Sequence, residues 1–161
     1  AAYKAVREKE PGVKLLLTGA RAYGMGAIEK RINELGLTDS VLFSGWLPLE
    51  DLPAVYSAAE VFVFPSLYEG FGMPVLEAFA CGAPVVCSNI APMTEVAADA
   101  AVYVDPLDER DIARGIITVL KDSGLRERLR QGGLARAEAF SWAKTAAQTL
   151  DVLTRYAEGR S

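Results

Sequence analysis

Histidine is missing from all 161 residues. That removes Ser-His-Asp and Cys-His nucleophilic catalysis, and the usual zinc sites with them. Cysteine occurs only twice, as Cys81 and Cys87. On an expected helix end and strand, these two read as small buried hydrophobes in a reducing compartment rather than a metal or redox pair. Basic runs are also missing. The chain carries 21 acids against 17 bases, a formal charge of −4, which argues against a nucleic-acid or polyanion surface. No apolar run approaches the roughly 20 residues of a membrane span, and no signal-peptide pattern is present. The expected setting is cytoplasmic. Two phosphate-loop patterns fail as well. In the loop Gly19–Gly26, Met25-Gly26 stand where a Walker loop needs Lys and Ser or Thr. Glu29 stands where a dinucleotide fingerprint needs a third small residue. Arg21 in that loop reads as a solvated charge rather than an anion ligand.

What is present is regular alternation. Helix Ala2–Lys9 precedes strand Val13–Leu17, helix Ala27–Leu35 and strand Val41–Phe43. Helix Glu50–Ala59 follows, with Leu52, Val55, Tyr56 and Ala59 at the spacing of one apolar face. Val61–Phe64 has the look of a strand buried on both faces. Beyond it come helix Val75–Cys81, strand Pro84–Cys87, a short helix Met93–Ala98 and strand Ala101–Val104. Asp108 is placed to cap a helix through Leu120, with Asp111 completing an acidic capping box. Gly124–Ala139 and a Ser141-capped helix Trp142–Ala157 close the chain. The faces Asp108–Arg114 and Arg126–Arg130 read as solvated. No linker, repeat or low-complexity segment interrupts the pattern, so one domain over 1–161 is expected. The fold class is α/β, a Rossmann-like doubly wound parallel sheet with helices on both faces. Ala1 opens inside a helix with no Met before it, and we read the chain as a partial or excised domain.

The organising stretch is Val61–Ser88. A strand ends at Pro65, a loop carries Gly70 and Gly72, and Pro74 fits the first turn of a helix that Gly82 stops. A helix start behind a glycine loop at a strand's carboxyl end is a phosphate site. Backbone amides of Phe71, Gly72 and Met73 would hold a diphosphate oxygen, since glycine lets a ligand approach closely. Glu69 and Glu77 flank that site, and acids beside an anion make sense if they face neutral hydroxyls. The bland readings are a tight turn for the glycines and a dipole-favourable acid for Glu77.

This pattern resembles the group 1 (family 4) retaining glycosyltransferases with the GT-B fold. Glu69, Gly70, Phe71, Gly72, Pro74, Glu77, Ala78, Cys81, Gly82 and Pro84 carry the match. Phe43-Ser44-Gly45-Trp46, Glu95, Val104-Asp105-Pro106 and Phe140-Ser141-Trp142 extend it. The resemblance implies the carboxyl-terminal donor-binding half of GT-B, with the acceptor-binding amino-terminal domain absent. It assigns Glu77 to ribose hydroxyls and Glu69, the candidate catalytic residue, to the transferred sugar as a positioning and electrostatic group. Trp46 and Leu47 would border the base, with Trp46 either stacking on it or simply packing. Gly19, ending the first strand, would border the nucleotide, and Glu95 would close the pocket floor. Tyr68 reads as wall.

The implied function is sugar transfer from a nucleoside-diphosphate sugar to a saccharide or lipid-linked acceptor. This is mannosyl- or hexosyltransferase chemistry of polysaccharide biosynthesis, with GDP-mannose or UDP-glucose as leading donors. No metal or separate cofactor is expected, because no Asp-x-Asp metal pattern occurs. The family's diphosphate-neutralising Arg/Lys pair would precede Ala1. Peripheral membrane association is expected of the full enzyme only. Two alternatives stay open: a non-catalytic Rossmann-like binding module, and a GT-B nucleotide-sugar epimerase, which would want an acid or base that the chain lacks.

Overall fold

The computed structural model describes residues 1–20 and 24–159. Arg21 lies outside them. Thirteen elements follow one another: α1 (Ala2–Lys9), β1 (Leu15–Thr18), α2 (Met25–Glu34), β2 (Val41–Gly45), α3 (Leu52–Ala58), β3 (Phe62–Phe64), α4 (Met73–Ala80), β4 (Val85–Ser88), α5 (Ala91–Ala97), β5 (Ala101–Val104), α6 (Glu109–Lys121), α7 (Ser123–Glu138) and α8 (Trp142–Ala157). The alternation expected from the sequence is therefore present. Its boundaries move by a residue or two, because caps rather than apolar spacing fix the ends.

Strand β4 is the centre. Phe62 pairs with Val85 and Val85 with Ala101, both in parallel. All four β4 residues are buried. Val85 and Cys87 face the layer of α4 and α5, among Val75, Phe79, Met93 and Val96. Val86 faces the opposite layer, with Val104, Val119 and Leu129. A strand covered on both sides reads as a continuous apolar run, and Val85-Val86-Cys87 is one. The layers are tight. A Cβ added at Gly115 of α6 would sit 2.5 Å from Val104 Cγ1, and one at Gly133 of α7 would sit 2.6 Å from Phe79 Cδ1. Helix α4 stops at Gly82, whose φ of +69° is left-handed. Its amide donates to the Phe79 carbonyl and that of Ala83 to Ala78, both at 2.9 Å. This paired closure is the Schellman arrangement, and it favours glycine.

The structure departs from expectation in four places. The strands form two ladders, β1–β2 and β3–β4–β5, with no ladder between them among the described residues. All pairs are parallel, as expected. Strand β3 is only half-buried, because it stands at an edge and lacks a neighbour on one side. Asp108 does cap α6, accepting from the Arg110 amide at 2.8 Å. Asp111, however, turns to the Asp105 amide at 2.8 Å and to Arg114 Nε at 2.6 Å instead of completing a capping box. That Arg114 bond, and then the Asp105 amide, hold the Asp111 carboxyl below its usual range. The solvated-face reading also fails for Arg126, which is largely covered, while Arg114 stays exposed. Arg114 donates to the Tyr103 carbonyl. Arg126 donates to the carbonyls of Val119 and Leu120, the open C-terminal turn of α6, and pairs with Glu60. Such carbonyls lack partners in the helix itself, so a guanidinium finds them.

Ser141 caps α8 as expected, its hydroxyl 3.1 Å from the Lys144 amide. Every described residue of α8 is exposed. Among the described residues no helix is long and apolar enough to cross a membrane.

Candidate functional site

The chain leaves β3 at Phe64 and turns through Ser66–Gly72 into α4. Two hydroxyls hold this turn. Ser88, fully buried at the carboxyl end of β4, donates to the Ser66 carbonyl at 2.6 Å. The Ser66 hydroxyl lies 2.9 Å from Glu69 Oε1 and 3.1 Å from the Tyr68 carbonyl. One O–H serves one acceptor at a time, and the shorter contact is with the carboxylate. Glu69 is thus half-buried and anchored inside its own loop.

The two glycines differ. Gly72 has φ +99°, and a Cβ there would lie 2.3 Å from Met93 Cε. Both backbone and packing demand glycine at that position. Gly70 has no such φ, and a Cβ there would meet nothing within 4 Å. Nothing within the protein therefore accounts for Gly70, and the space above it is open. Helix α4 begins with Gly72 as its N-cap and no side-chain cap. In its first turn Pro74 has no N–H and the Val75 amide donates to the Gly72 carbonyl at 2.9 Å, which leaves the Met73 amide to an outside acceptor.

Glu77 stands one turn into α4, exposed, with Oε2 accepting from the Tyr56 hydroxyl of α3 at 3.0 Å. Burial first, then this hydrogen bond, raise the Tyr56 hydroxyl well above its ordinary pKa and keep it a donor. A carboxylate has about four acceptor positions, so Tyr56 fixes the group while leaving room for two more hydroxyls. Ser57 donates to the Cys81 carbonyl at 3.1 Å and ties the same two helices at their other contact.

Beside the loop lies a concavity of about 390 Å³, lined by Gly70, Phe71, Pro92, Glu95, Arg136 and Phe140 among others. Glu95 and Gly70 thus line one concavity. Arg136 donates to the carbonyls of Val96 at 2.8 Å and Glu95 at 2.6 Å. Its guanidinium lies 4.8 Å from the centre of the Phe140 ring, and that ring meets Phe71 edge-on at 6.0 Å. The Phe71 side chain is therefore braced from α7. Neither Glu69 nor Glu77 lines this concavity. Gly19 and Gly45 close on each other, amide to carbonyl at 3.0 Å, next to an exposed Trp46 and a half-buried Leu47. That group belongs to the β1–β2 ladder rather than to the Glu69 loop. Met73 is exposed at the start of α4.

Sequence reading missed Tyr56, Ser88 and Arg136 as parts of this site. Tyr56 sat correctly on the apolar face of α3, but nothing in spacing shows that its hydroxyl reaches Glu77, 21 residues on.

Residues 1–136 match the family described as Glycosyl transferases group 1. Over 137 residues the chain is 41% identical to O-antigen chain mannosyltransferase B of Escherichia coli, covering 85% of this chain and 36% of that protein. Over 131 residues it is 40% identical to MMP alpha-(1->4)-mannosyltransferase of Mycolicibacterium hassiacum, covering 79% and 32%. Sucrose-phosphate synthase from Thermosynechococcus elongatus superimposes with a TM-score of 0.84 at 33% identity, over 99% of this chain and 42% of that one. The chain belongs to the group 1 glycosyltransferase family, and its structural neighbours are GT-B glycosyltransferases. It spans about a third of the length of these curated relatives.

Proposed function

We propose that this chain is the carboxyl-terminal, donor-binding domain of a retaining glycosyltransferase. It would bind a nucleoside-diphosphate sugar, with GDP-mannose or UDP-glucose as donor, and pass the sugar to a saccharide or lipid-linked acceptor held by an amino-terminal domain. The observation that carries this reading is the loop Glu69–Met73: an unexplained glycine with open space above it, leading into an uncapped helix start. The diphosphate sits against the amides of Gly72 and Met73. Glu77, set by Tyr56, accepts the ribose hydroxyls. Glu69, set by Ser66, accepts hydroxyls of the transferred sugar and stabilises charge developing there. Gly19, Trp46 and Leu47 border the nucleoside. No metal or further cofactor takes part, the enzyme works in the cytoplasm, and any membrane contact is peripheral. The mannosyltransferases among the relatives support mannose as the first sugar to try.

Calorimetric titration of UDP, GDP and their mannose and glucose conjugates, with amide shift mapping, tests the reading. Binding with shifts across Glu69–Glu77 is expected, and titrations that leave those amides unmoved would rule the site out. Glu77→Ala should weaken nucleotide binding by about 1–3 kcal/mol, the range for hydrogen bonds to a charged partner. An unchanged affinity would remove Glu77 from the ribose.

A further inference from the structure

Behind Phe71, contacts from two other elements converge. Arg136 stands on α7 about one turn beyond Gly133, where that helix presses on Phe79 of α4 too closely to admit a Cβ. Its base is therefore fixed. From there its guanidinium donates to the carbonyls of Val96 and Glu95, at 2.8 and 2.6 Å, in the last turn of α5. Carbonyls at a helix end lack partners within the helix. The same guanidinium lies 4.8 Å from the centre of the Phe140 ring, within cation–π range. Phe140 in turn meets Phe71 edge-on at 6.0 Å, a favourable arrangement of two rings. Capping α5 needs only the hydrogen bonds. The contact with Phe140 is additional, and it leads to the loop.

Phe71 needs such an anchor. It sits between Gly70 and Gly72, and glycine on both sides gives a chain wide backbone freedom. No hydrogen bond to another described residue holds the backbone of Gly70 or Phe71. The loop is pinned before them, where Ser88 donates to the Ser66 carbonyl. It is pinned after them, where Met93 leaves no room for a Cβ at Gly72. Between those points the handle on the chain is the Phe71 ring. Met93 itself belongs to α5, the helix whose last turn Arg136 holds. Arg136 thus supports the helix under Gly72 and the ring beside Gly70 at once.

We propose that Arg136 is a positioning residue for the donor loop. Through Phe140 it holds Phe71, and so sets the aim of the Gly72 and Met73 amides on the diphosphate. This role rests on the donor-site reading above. Arg136 acts without touching the nucleotide, because its guanidinium is already engaged by two carbonyls and a ring.

A double-mutant cycle with Arg136→Gln and Phe140→Leu tests this. Phe140→Leu leaves both hydrogen bonds to α5 in place and cuts only the link to Phe71. Without nucleotide, each single variant is expected to shift or broaden the Phe71 and Gly72 amide signals while those of Ser57 and Glu77 hold. In calorimetric titrations with GDP and UDP, each should weaken binding about tenfold, as for the loss of one ring or cation–π contact. The double variant should lose no more than about threefold beyond either one, because both changes break the same chain of contacts. Independent faults would multiply to about a hundredfold, and that result would overturn the proposal. So would an unchanged affinity in Phe140→Leu, or Phe71 and Gly72 signals that stay in place in both single variants. If Arg136→Gln fails to fold, Phe140→Leu decides by itself. If the unaltered chain binds neither nucleotide, the donor-site reading falls, and the nucleotide-free signals still decide whether Arg136 sets Phe71.

Discussion

The β3–β4–β5 half and the β1–β2–α2 half are assembled from the same strand–helix units, yet one is sealed and the other thin. In the first, Val85, Val86 and Cys87 are wholly buried between α4–α5 and α6–α7. In the second, Leu16 is 42% and Leu42 47% exposed, and α2 buries no residue completely. Local sequence does not separate them, since Leu15-Leu16-Leu17 is as apolar as Val85-Val86-Cys87. What separates them is cover. The anchored part of the candidate site, from Ser66 to Glu77, hangs from the sealed half through Ser88 and Met93. Precise positioning belongs on such a support. The thin half carries Gly19 and Trp46.

Changes in the sealed half should be felt most. Phe79→Ala is expected to cost about 3–5 kcal/mol, the range for an emptied aromatic core position, read by denaturant unfolding. A loss under 1 kcal/mol would mean that the α4–α7 contact is looser than it stands. Gly72→Val comes next, at about 1–3 kcal/mol for a strained left-handed residue plus the clash with Met93. Calorimetry should then find nucleotide binding gone as well. The caps follow. Asp108→Ala should lower global stability by about 1 kcal/mol, because α6 is part of the core. Ser141→Ala removes the same chemistry from a helix whose described residues are all exposed, so it should reduce helicity locally and move the global midpoint by less than about 0.5 kcal/mol.

Alkaline titration gives a smaller, directional effect. Burial pushes the Cys87 thiol up from 9.0 to about 12. A folded pKa above the unfolded one means a contribution that is complete below about pH 9 and is lost as pH climbs toward 12. Unfolding midpoints measured from pH 8 to 11 should therefore fall less steeply in Cys87→Ala. Tyr103, raised by burial to about 12, and Tyr56, also raised by burial, supply the slope that remains above pH 10. Identical slopes in the two proteins would show that the thiol is not protected. Smallest of all is Leu16→Ala on the thin half, expected to change stability by no more than about 0.5 kcal/mol in this chain. A loss comparable with that of Phe79→Ala would erase the contrast between the halves.

The parts of this architecture legible in the sequence are the ones settled within a turn or a strand. Ser141 and Asp108 were readable as caps because a cap bonds two or three residues ahead. The half-buried face of α3, Leu52, Val55, Tyr56 and Ala59, followed from helical spacing alone. The loop Glu69–Met73 was readable because glycine, proline and carboxylate each have few reasons to stand there. The bracing of that loop was not. Tyr56 meets Glu77 across 21 residues, Ser88 meets Ser66 across 22 and Arg136 meets Val96 across 40. No spacing rule spans such distances. Asp111 shows the same limit at close range: in place of a capping box its carboxylate takes both Arg114 and the Asp105 amide.

By itself, the sequence determined where strands and helices alternate, which loop opens a helix without a cap, and which chemistries lack their residues. These depend on backbone preferences and side chains within a few positions. Tertiary packing alone decided which strands are sealed, that the described strands pair in two ladders, and what holds Glu69, Glu77 and Phe71 in place. Burial and long-range hydrogen bonds depend on which surfaces meet, and that is fixed only once the layers have assembled.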